Sequence, residues 1–232
     1  MINEKELMVW ADKTADAYHN LATDPAHPEC NLAFYTQSDL RKMTTTPDLL
    51  ILTINPNGDA GYTGKDGFDG QSDNPVWKNW GLNGRMTGDI LLKGNPFFSN
   101  RETWSLWKRL RDILRRGNIG PVLDDESRFV YTELIFFNTP SSSHIPKEAY
   151  RLVPKTIDLI NILQPKQILC VGAATCLPAL KPYVTGLTQI AKNVKEGKIN
   201  DIPLFAIPHT ASVYTRELLE IAGRTLGDKM IL

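Results

Sequence analysis

The sequence predicts an α/β domain built on a parallel sheet, and three observations carry that prediction. Four apolar runs, at 49–54, 129–137, 168–171 and 202–207, alternate with helix-like segments, the pattern of strand–helix–strand units with right-handed crossovers. The first run is continuously apolar, as a strand covered on both faces is. The first and last runs each stop at a polar motif, Asn55-Pro56-Asn57-Gly58-Asp59 and Pro208-His209-Thr210-Ala211-Ser212. Ligands of parallel sheets bind at such carboxyl ends. The 232 residues suit a single domain, with 1–45 as an N-terminal helical cover and 46–232 as the core.

Taken in order, residues 4–20 predict an amphipathic helix, with Leu7, Trp10, Ala11, Thr14 and Tyr18 recurring at spacings of three and four. Asn3 followed by Glu6 resembles a capping box. Pro25 and Pro28 break the chain before the first strand. Residues 55–100 are rich in Gly, Asn and Asp and predict no long helix. Trp77, Trp80, Phe97 and Phe98 argue for packing there rather than disorder, so the segment reads as an ordered wall around a pocket. A helix is expected at 101–116, then the second strand. Pro146 starts a helix over 147–163, which Pro165 ends. After the third strand, Gly172-Ala173-Ala174 turns into a short helix reaching Leu180. Residues 186–196 read as helical, and 213–227 as the last helix.

Lys plus Arg balance Asp plus Glu at 26 each, so nucleic-acid binding would rest on a local patch rather than global charge. Residues 101–116 hold six basic residues against two acids, which suits either a phosphate-facing helix or a solvated face. Cys30, Cys170 and Cys176 fit no zinc or iron–sulfur spacing, and their odd number points to a reducing cytoplasm. No apolar run approaches the roughly 18 residues of a membrane span. The four histidines show no paired metal-ligand spacing, so no metal or other cofactor is expected. There is no Walker motif and no G-x-G-x-x-G, which weakens a nucleotide-cofactor reading.

The chemistry on offer is that of amides, an imidazole and hydroxyls. Asn55 carries one acceptor and two donors and could orient a water, although Asn-Pro and Asn-Gly are also ordinary turn dipeptides. His209 could stabilise a developing negative charge by a hydrogen bond, or be a structural residue. Thr210, Ser212 and Arg216 at the start of the last helix would suit a phosphate, or Ser212 could simply cap it.

Five motifs, in this order, resemble those of the uracil-DNA glycosylase superfamily. Thr53-Ile54-Asn55-Pro56-Asn57 resembles the G-I-N-P-G motif of its mismatch-specific and single-strand-selective branches. Gly94-Asn95-Pro96-Phe97 resembles the G-x-P-F segment of its thermostable bacterial and archaeal branch. Val130-Tyr131 through Pro140 to Pro146-Lys147-Glu148 resembles that branch's strand, proline-rich loop and helix start. The run from Leu163 through Pro165-Lys166 to Gly172-Ala173-Ala174 resembles its L-x-P-K strand signature. Ile207-Pro208-His209-Thr210-Ala211-Ser212 resembles the final H-P-S motif.

The resemblance, over 47–225, implies three layers with a four-stranded parallel sheet between helices. It also implies hydrolysis of the bond between a damaged base and deoxyribose, with the nucleotide flipped into a pocket. Asn55 would position the water and His209 would bind the departing base. Phe97 would stack on that base, with Tyr62 and Phe98 as alternatives. Thr210, Ser212 and Arg216 would hold flanking phosphates, and Val213 or Tyr214 would wedge into the vacated stack. The implied partner is DNA carrying a damaged or deaminated base, bound by a monomer.

Departures from the family pattern are specific. Asn57 stands where the family has Gly. The base-reading Asn of the third motif is replaced in an ungapped reading by Glu133 or Leu134, with Asn138 four residues on. The cluster-binding cysteines of the thermostable branch are missing. A non-catalytic nucleic-acid-binding member of the same fold, and an unrelated small-molecule hydrolase using His209 and a carboxylate, are the rival readings.

Overall fold

The computed structural model describes residues 1–57, 61–62, 85–210 and 215–230. The protein is α/β. Among the described residues the α-helices are α1 (Glu4–Ala22), α2 (Gly88–Lys93), α3 (Ser105–Arg116), α4 (Val153–Leu163), α5 (Cys176–Leu180) and α6 (Arg216–Lys229). The strands are β1 (Leu49–Thr53), β2 (Phe129–Glu133), β3 (Gln167–Val171), β4 (Thr185–Ala191), β5 (Val194–Ile199) and β6 (Ile202–Ile207). The chain forms two compact units from separated stretches. The first comprises Met1–Lys42, Asn55–Phe98 and Glu133–Ile162; the second comprises Met43–Ile54, Ser99–Thr132 and Leu163–Leu232.

The first unit is built around aromatic rings. Helix α1 begins where expected, with Asn3 Oδ1 accepting from the Glu6 N–H at 3.2 Å. Its apolar stripe carries Tyr18 into a cluster with Phe34, Phe136 and Phe137, at centroid distances of 4.8–5.2 Å. The Tyr18 hydroxyl accepts from the Phe136 N–H at 2.9 Å, so the ring enters the core without orphaning its polar end. Trp10 Nε1 donates to Lys155 O at 2.7 Å and ties α1 to α4. The helix expected over 147–163 is a 3-10 turn, Lys147–Leu152, followed by α4. In the Gly94-Asn95-Pro96-Phe97 motif, Gly94 has φ +69°, and a Cβ there would lie 2.4 Å from Ser38 O. Only glycine meets both conditions.

The second unit holds the sheet, in the order β2-β1-β3-β6-β5-β4. Strand β3 is parallel to both β1 and β6, whereas β4–β5 and β5–β6 are antiparallel. Among the described residues the sheet is therefore six-stranded and mixed, with two strands more than the four expected. The segment expected as a helix at 186–196 forms the β4–β5 hairpin instead. Two tight loops explain it. Asn193 sits at φ +63° between β4 and β5. Asn200 and Asp201, at φ +47° and +67°, form a two-residue loop between the paired Ile199 and Ile202. Positive φ at both loop residues is the signature of the hairpin turn whose twist matches the strands. Strand β2 also ends sooner than expected, at Glu133; the chain stays buried through Phe137 but leaves the ladder.

Strands β1, β2 and β3 are buried along their whole length, and β4 is largely exposed. This contrast matches the apolar and mixed sequences of the two groups. At the amino ends of β1 and β3, Asp48 binds Arg128 Nε at 2.5 Å and Lys166 Nζ at 2.7 Å. Burial would raise the Asp48 carboxyl, but the hydrogen bonds from Lys166 and Arg128 outweigh it and hold its pKa below the usual range. The Pro-Lys motif before β3 thus has a structural role. Helices α3 and α6 touch backbone to backbone: a Cβ on Gly117 would lie 2.3 Å from Gly223 O, and one on Gly227 2.3 Å from Gly117 O. Among the described residues no helix is long and apolar enough to cross a membrane.

Candidate functional site

Asn55 lies two residues beyond β1 and is half-buried. Its Nδ2 donates to Pro56 O at 2.7 Å and to Thr139 Oγ1 at 2.8 Å, with Phe137 O at 3.5 Å. Thr139 spends its only hydroxyl proton on Ser141 O, 2.7 Å away, so it can only accept from Asn55. Both neighbours are acceptors, and this fixes which way the amide is turned. The two amide protons face the protein, and Oδ1 accepts no hydrogen bond among the described residues. The backbone supports the clamp: Asn57 and Thr139 form a parallel bridge, and the Thr139 N–H donates to Pro56 O at 3.2 Å. An asparagine held this way presents one fixed acceptor.

His209 lies two residues beyond β6, in the second unit. Because β1, β3 and β6 run parallel, β1 and β6 reach their carboxyl ends at the same edge of the sheet. The His209 segment is bracketed. Ile207 O accepts from the N–H groups of Gly172 and Ala173 at 2.8 and 2.9 Å. Thr210 O accepts from Arg109 Nη1 at 2.5 Å. Burial lowers the His209 pKa, so the ring is a neutral imidazole at neutral pH. In that form it offers one N–H without carrying charge.

Other expected residues are placed unevenly. Thr210 is fully buried, and its Oγ1 has no hydrogen-bond partner among the described residues. Arg216 is exposed in the first turn of α6, as a phosphate ligand needs to be. The cap of that helix is Thr215, whose Oγ1 accepts from the Leu218 N–H at 3.3 Å, and not Ser212. Tyr62 is buried, with its hydroxyl 2.7 Å from His19 Nδ1 and its ring 5.5 Å from that of Phe34. Its packing makes it a core residue rather than a base stacker. Phe98 is likewise buried, whereas Phe97 is half-exposed. Asn138 is fully buried, and its N–H donates to Ala33 O at 2.9 Å. Gly58, Asp59, Trp77, Trp80, Ser212, Val213 and Tyr214 lie outside the described residues, as does most of the expected pocket wall.

Three of the six basic residues of 101–116 are paired with acids, and the helix expected there begins at Ser105. Arg101 pairs with Glu126 at 2.7 Å, Arg111 with Glu102 at 2.6 Å and with Asp124, and Arg116 with Glu220 at 2.6 Å. These pairs favour a structural face over a phosphate-facing one.

Glu133, at the end of β2, is 1 % exposed. Its Oε1 accepts from Gln37 Nε2 at 2.7 Å. Gln37 Oε1 in turn accepts from Asn95 Nδ2 at 2.9 Å, and Asn95 Oδ1 accepts from the Phe97 N–H at 2.9 Å. Burial pushes the Glu133 carboxyl up to about 8, against smaller lowering contributions from the Gln37 hydrogen bond and its own backbone. Neither Gln37 nor Thr139 was flagged by the sequence, since neither belongs to a motif by spacing or type; Thr139 at least follows Asn138 in a strand-end loop.

Among the described residues no group of three or more His, Cys, Asp or Glu side chains is arranged to hold a metal ion. No protein-family model matches the chain, and no curated protein matches it.

Proposed function

We propose that this chain is a DNA glycosylase-like enzyme that hydrolyses the N-glycosidic bond of uracil or a related deaminated base in DNA. The observation that carries the reading is the Asn55 amide, turned by two acceptors so that Oδ1 is left for a water at a strand end. Asn55 Oδ1 accepts a hydrogen bond from the attacking water. The bond from deoxyribose to base lengthens, the sugar gathers positive charge and the base departs as an anion; the water oxygen bonds to C1′ of the sugar and releases a proton, which neutralises the departed base. His209, neutral at working pH, donates its N–H to a base carbonyl and stabilises that anion. A weak nucleophile suffices when the leaving group is stabilised in this way. Phe97, half-exposed, supplies the stacking face, and Arg216 supplies a cation for a flanking phosphate. The fold that goes with this reading has β2-β1-β3-β6 as a four-stranded parallel core with the β4–β5 hairpin added. The protein acts as a cytoplasmic monomer on DNA.

Single- and double-stranded oligonucleotides carrying uracil, hypoxanthine or xanthine, treated with alkali after incubation, test the reading. Strand scission that disappears in Asn55→Ala and His209→Ala supports it; absence of scission with every substrate overturns it. One observation favours a second reading, a non-catalytic nucleic-acid-binding protein: in an ungapped reading Glu133 or Leu134 stands where the family it resembles reads the base with Asn. Salt-sensitive binding without scission identifies that case.

A further inference from the structure

Away from Asn55 and His209, one exposed turn of the first unit sets a nucleophile against a base. Ser141 precedes a single 3-10 turn, Ser142–His144. Residues three apart in such a turn eclipse each other, so Ser141 and His144 share a face. Ser141 Oγ lies 2.8 Å from His144 Nδ1 and 2.7 Å from Ser143 Oγ. Ser143 Oγ is 3.5 Å from the same ring nitrogen, too far for a good hydrogen bond. Ser141, Ser143 and His144 are all exposed, so a solute can reach them directly.

The contacts give the protons an order. His144 Nε2 has no protein partner among the described residues, and with the ring proton there Nδ1 is an acceptor. Ser141 gives its one hydroxyl proton to Nδ1. Ser143 gives its proton to Ser141 Oγ, which keeps a second lone pair for attack. A hydroxyl that accepts one hydrogen bond is a stronger donor in the next. The backbone holds the pair in place. Ser141 O accepts from the Thr139 hydroxyl at 2.7 Å and from the His144 N–H at 3.0 Å. Ile145 and Pro146, which follow the turn, are buried and anchor its far end.

We propose that Ser141 and His144 form a second catalytic pair, one that hydrolyses carboxylic esters with good leaving groups, such as aryl esters. A nucleophile within hydrogen-bond reach of its base is the arrangement that activates a serine. As Ser141 Oγ bonds to the ester carbonyl carbon, its proton passes to His144 Nδ1. The adduct collapses, the carbon–oxygen bond to the leaving group breaks, and the proton on His144 goes to the departing oxygen. The acyl group is left on Ser141. Water then gives a proton to His144 and bonds to the acyl carbon; Ser141 leaves and takes that proton back. The products are the acid and the phenol. The restriction to aryl esters follows from exposure. Enclosed donors to the oxyanion are worth roughly 10²–10³ in rate, and on an open turn water competes for that role. A phenolate, being a weak base, leaves without that help.

The test mixes the full chain with 4-nitrophenyl acetate and follows nitrophenol release and the intact mass together. Hydrolysis above the buffer rate is expected, with one added acetyl group that peptide fragmentation places on Ser141. Ser141→Ala abolishes the adduct, and His144→Gln slows acylation by about a hundredfold or more. Both positions are exposed, and melting curves check that the variants fold. An alkyl fluorophosphonate, which reacts irreversibly with activated serines, should label Ser141 in the unmutated chain and so needs no variant. Wild-type release by Ser141→Ala means that the imidazole attacks the ester alone, and overturns the inference. So does the absence of an adduct on Ser141 with both probes, or a wild-type acylation rate in His144→Gln. Uracil excision takes no part in this test, so the glycosylase reading stands or falls separately.

Discussion

The loops that follow β1 and β6 hold their functional side chains by different means. Asn55 is fixed through its own amide, which gives both protons to the protein and leaves Oδ1 without a hydrogen bond among the described residues. His209 is fixed through the backbone on either side of it, at Ile207 O and Thr210 O. The difference follows from chemistry. An amide has more hydrogen-bonding groups than water positioning needs, so the surplus can serve as the clamp. Beside His209 the recorded anchors are backbone groups, so this loop depends on the strand and on Arg109 for its position. Mutations should therefore act on the two loops differently.

On the proposed glycosylase reading, His209→Ala removes the contact to the departing base. It is expected to lower kcat/KM for uracil excision by about 2.7–4 kcal/mol, with thermal stability nearly unchanged. Single-turnover kinetics beside a melting curve measure both. Thr139→Val takes away the acceptor that turns the Asn55 amide and leaves a buried donor unpaired, a loss of about 1–3 kcal/mol. Excision falls with it, and Thr139→Ser restores much of the rate; full activity in Thr139→Val would mean that the clamp does not set the amide.

Glu133 gives a stability test of its own. Its carboxyl stands at about 8 in the folded protein against 4.5 ordinarily, so the folded state holds a proton that the unfolded chain has lost. Its contribution is fully present below about pH 4.5 and is lost as pH rises to about 8, at up to about 1.4 kcal/mol per pH unit. Urea denaturation of the wild type should show this slope relative to Glu133→Gln. Parallel pH curves for the two proteins would contradict it.

Arg109→Met leaves the His209 loop without its charged donor at Thr210 O. A charge-assisted bond of this kind contributes about 1.5–3 kcal/mol at most. Excision is expected to fall by roughly tenfold, through kcat, while a bond made by Asn55 should be unaffected. The smallest change comes at the hairpin. Asp201→Gly relieves a positive-φ residue in the β5–β6 turn, and should stabilise the fold by about 0.5–1 kcal/mol without altering excision.

Local pattern was enough for much of this molecule. Continuous apolar runs marked β1, β3 and β6 because a strand covered on both faces needs no polar side chain. The spacing of Leu7, Trp10, Thr14 and Tyr18, with Asn3 before it, marked α1 because capping and periodicity are short-range properties. The β4–β5 hairpin was misread because an edge pair with exposed polar residues lacks that apolar signature. Its marker was Asn193, as the Asn200-Asp201 pair was for the β5–β6 turn; both encode turn geometry rather than strand composition.

The order of motifs along the chain, and the arrival of Asn55 and His209 just past apolar strands, can be read from residue types alone. The orientation of the Asn55 amide cannot, because Thr139 reaches it from 84 residues away. Nor can the protonation of Glu133, which depends on Gln37 and Asn95 arriving from two other stretches and on burial that excludes water. Backbone preferences act between neighbours in sequence, whereas amide orientation and carboxyl ionisation answer to whatever packing brings within 3 Å.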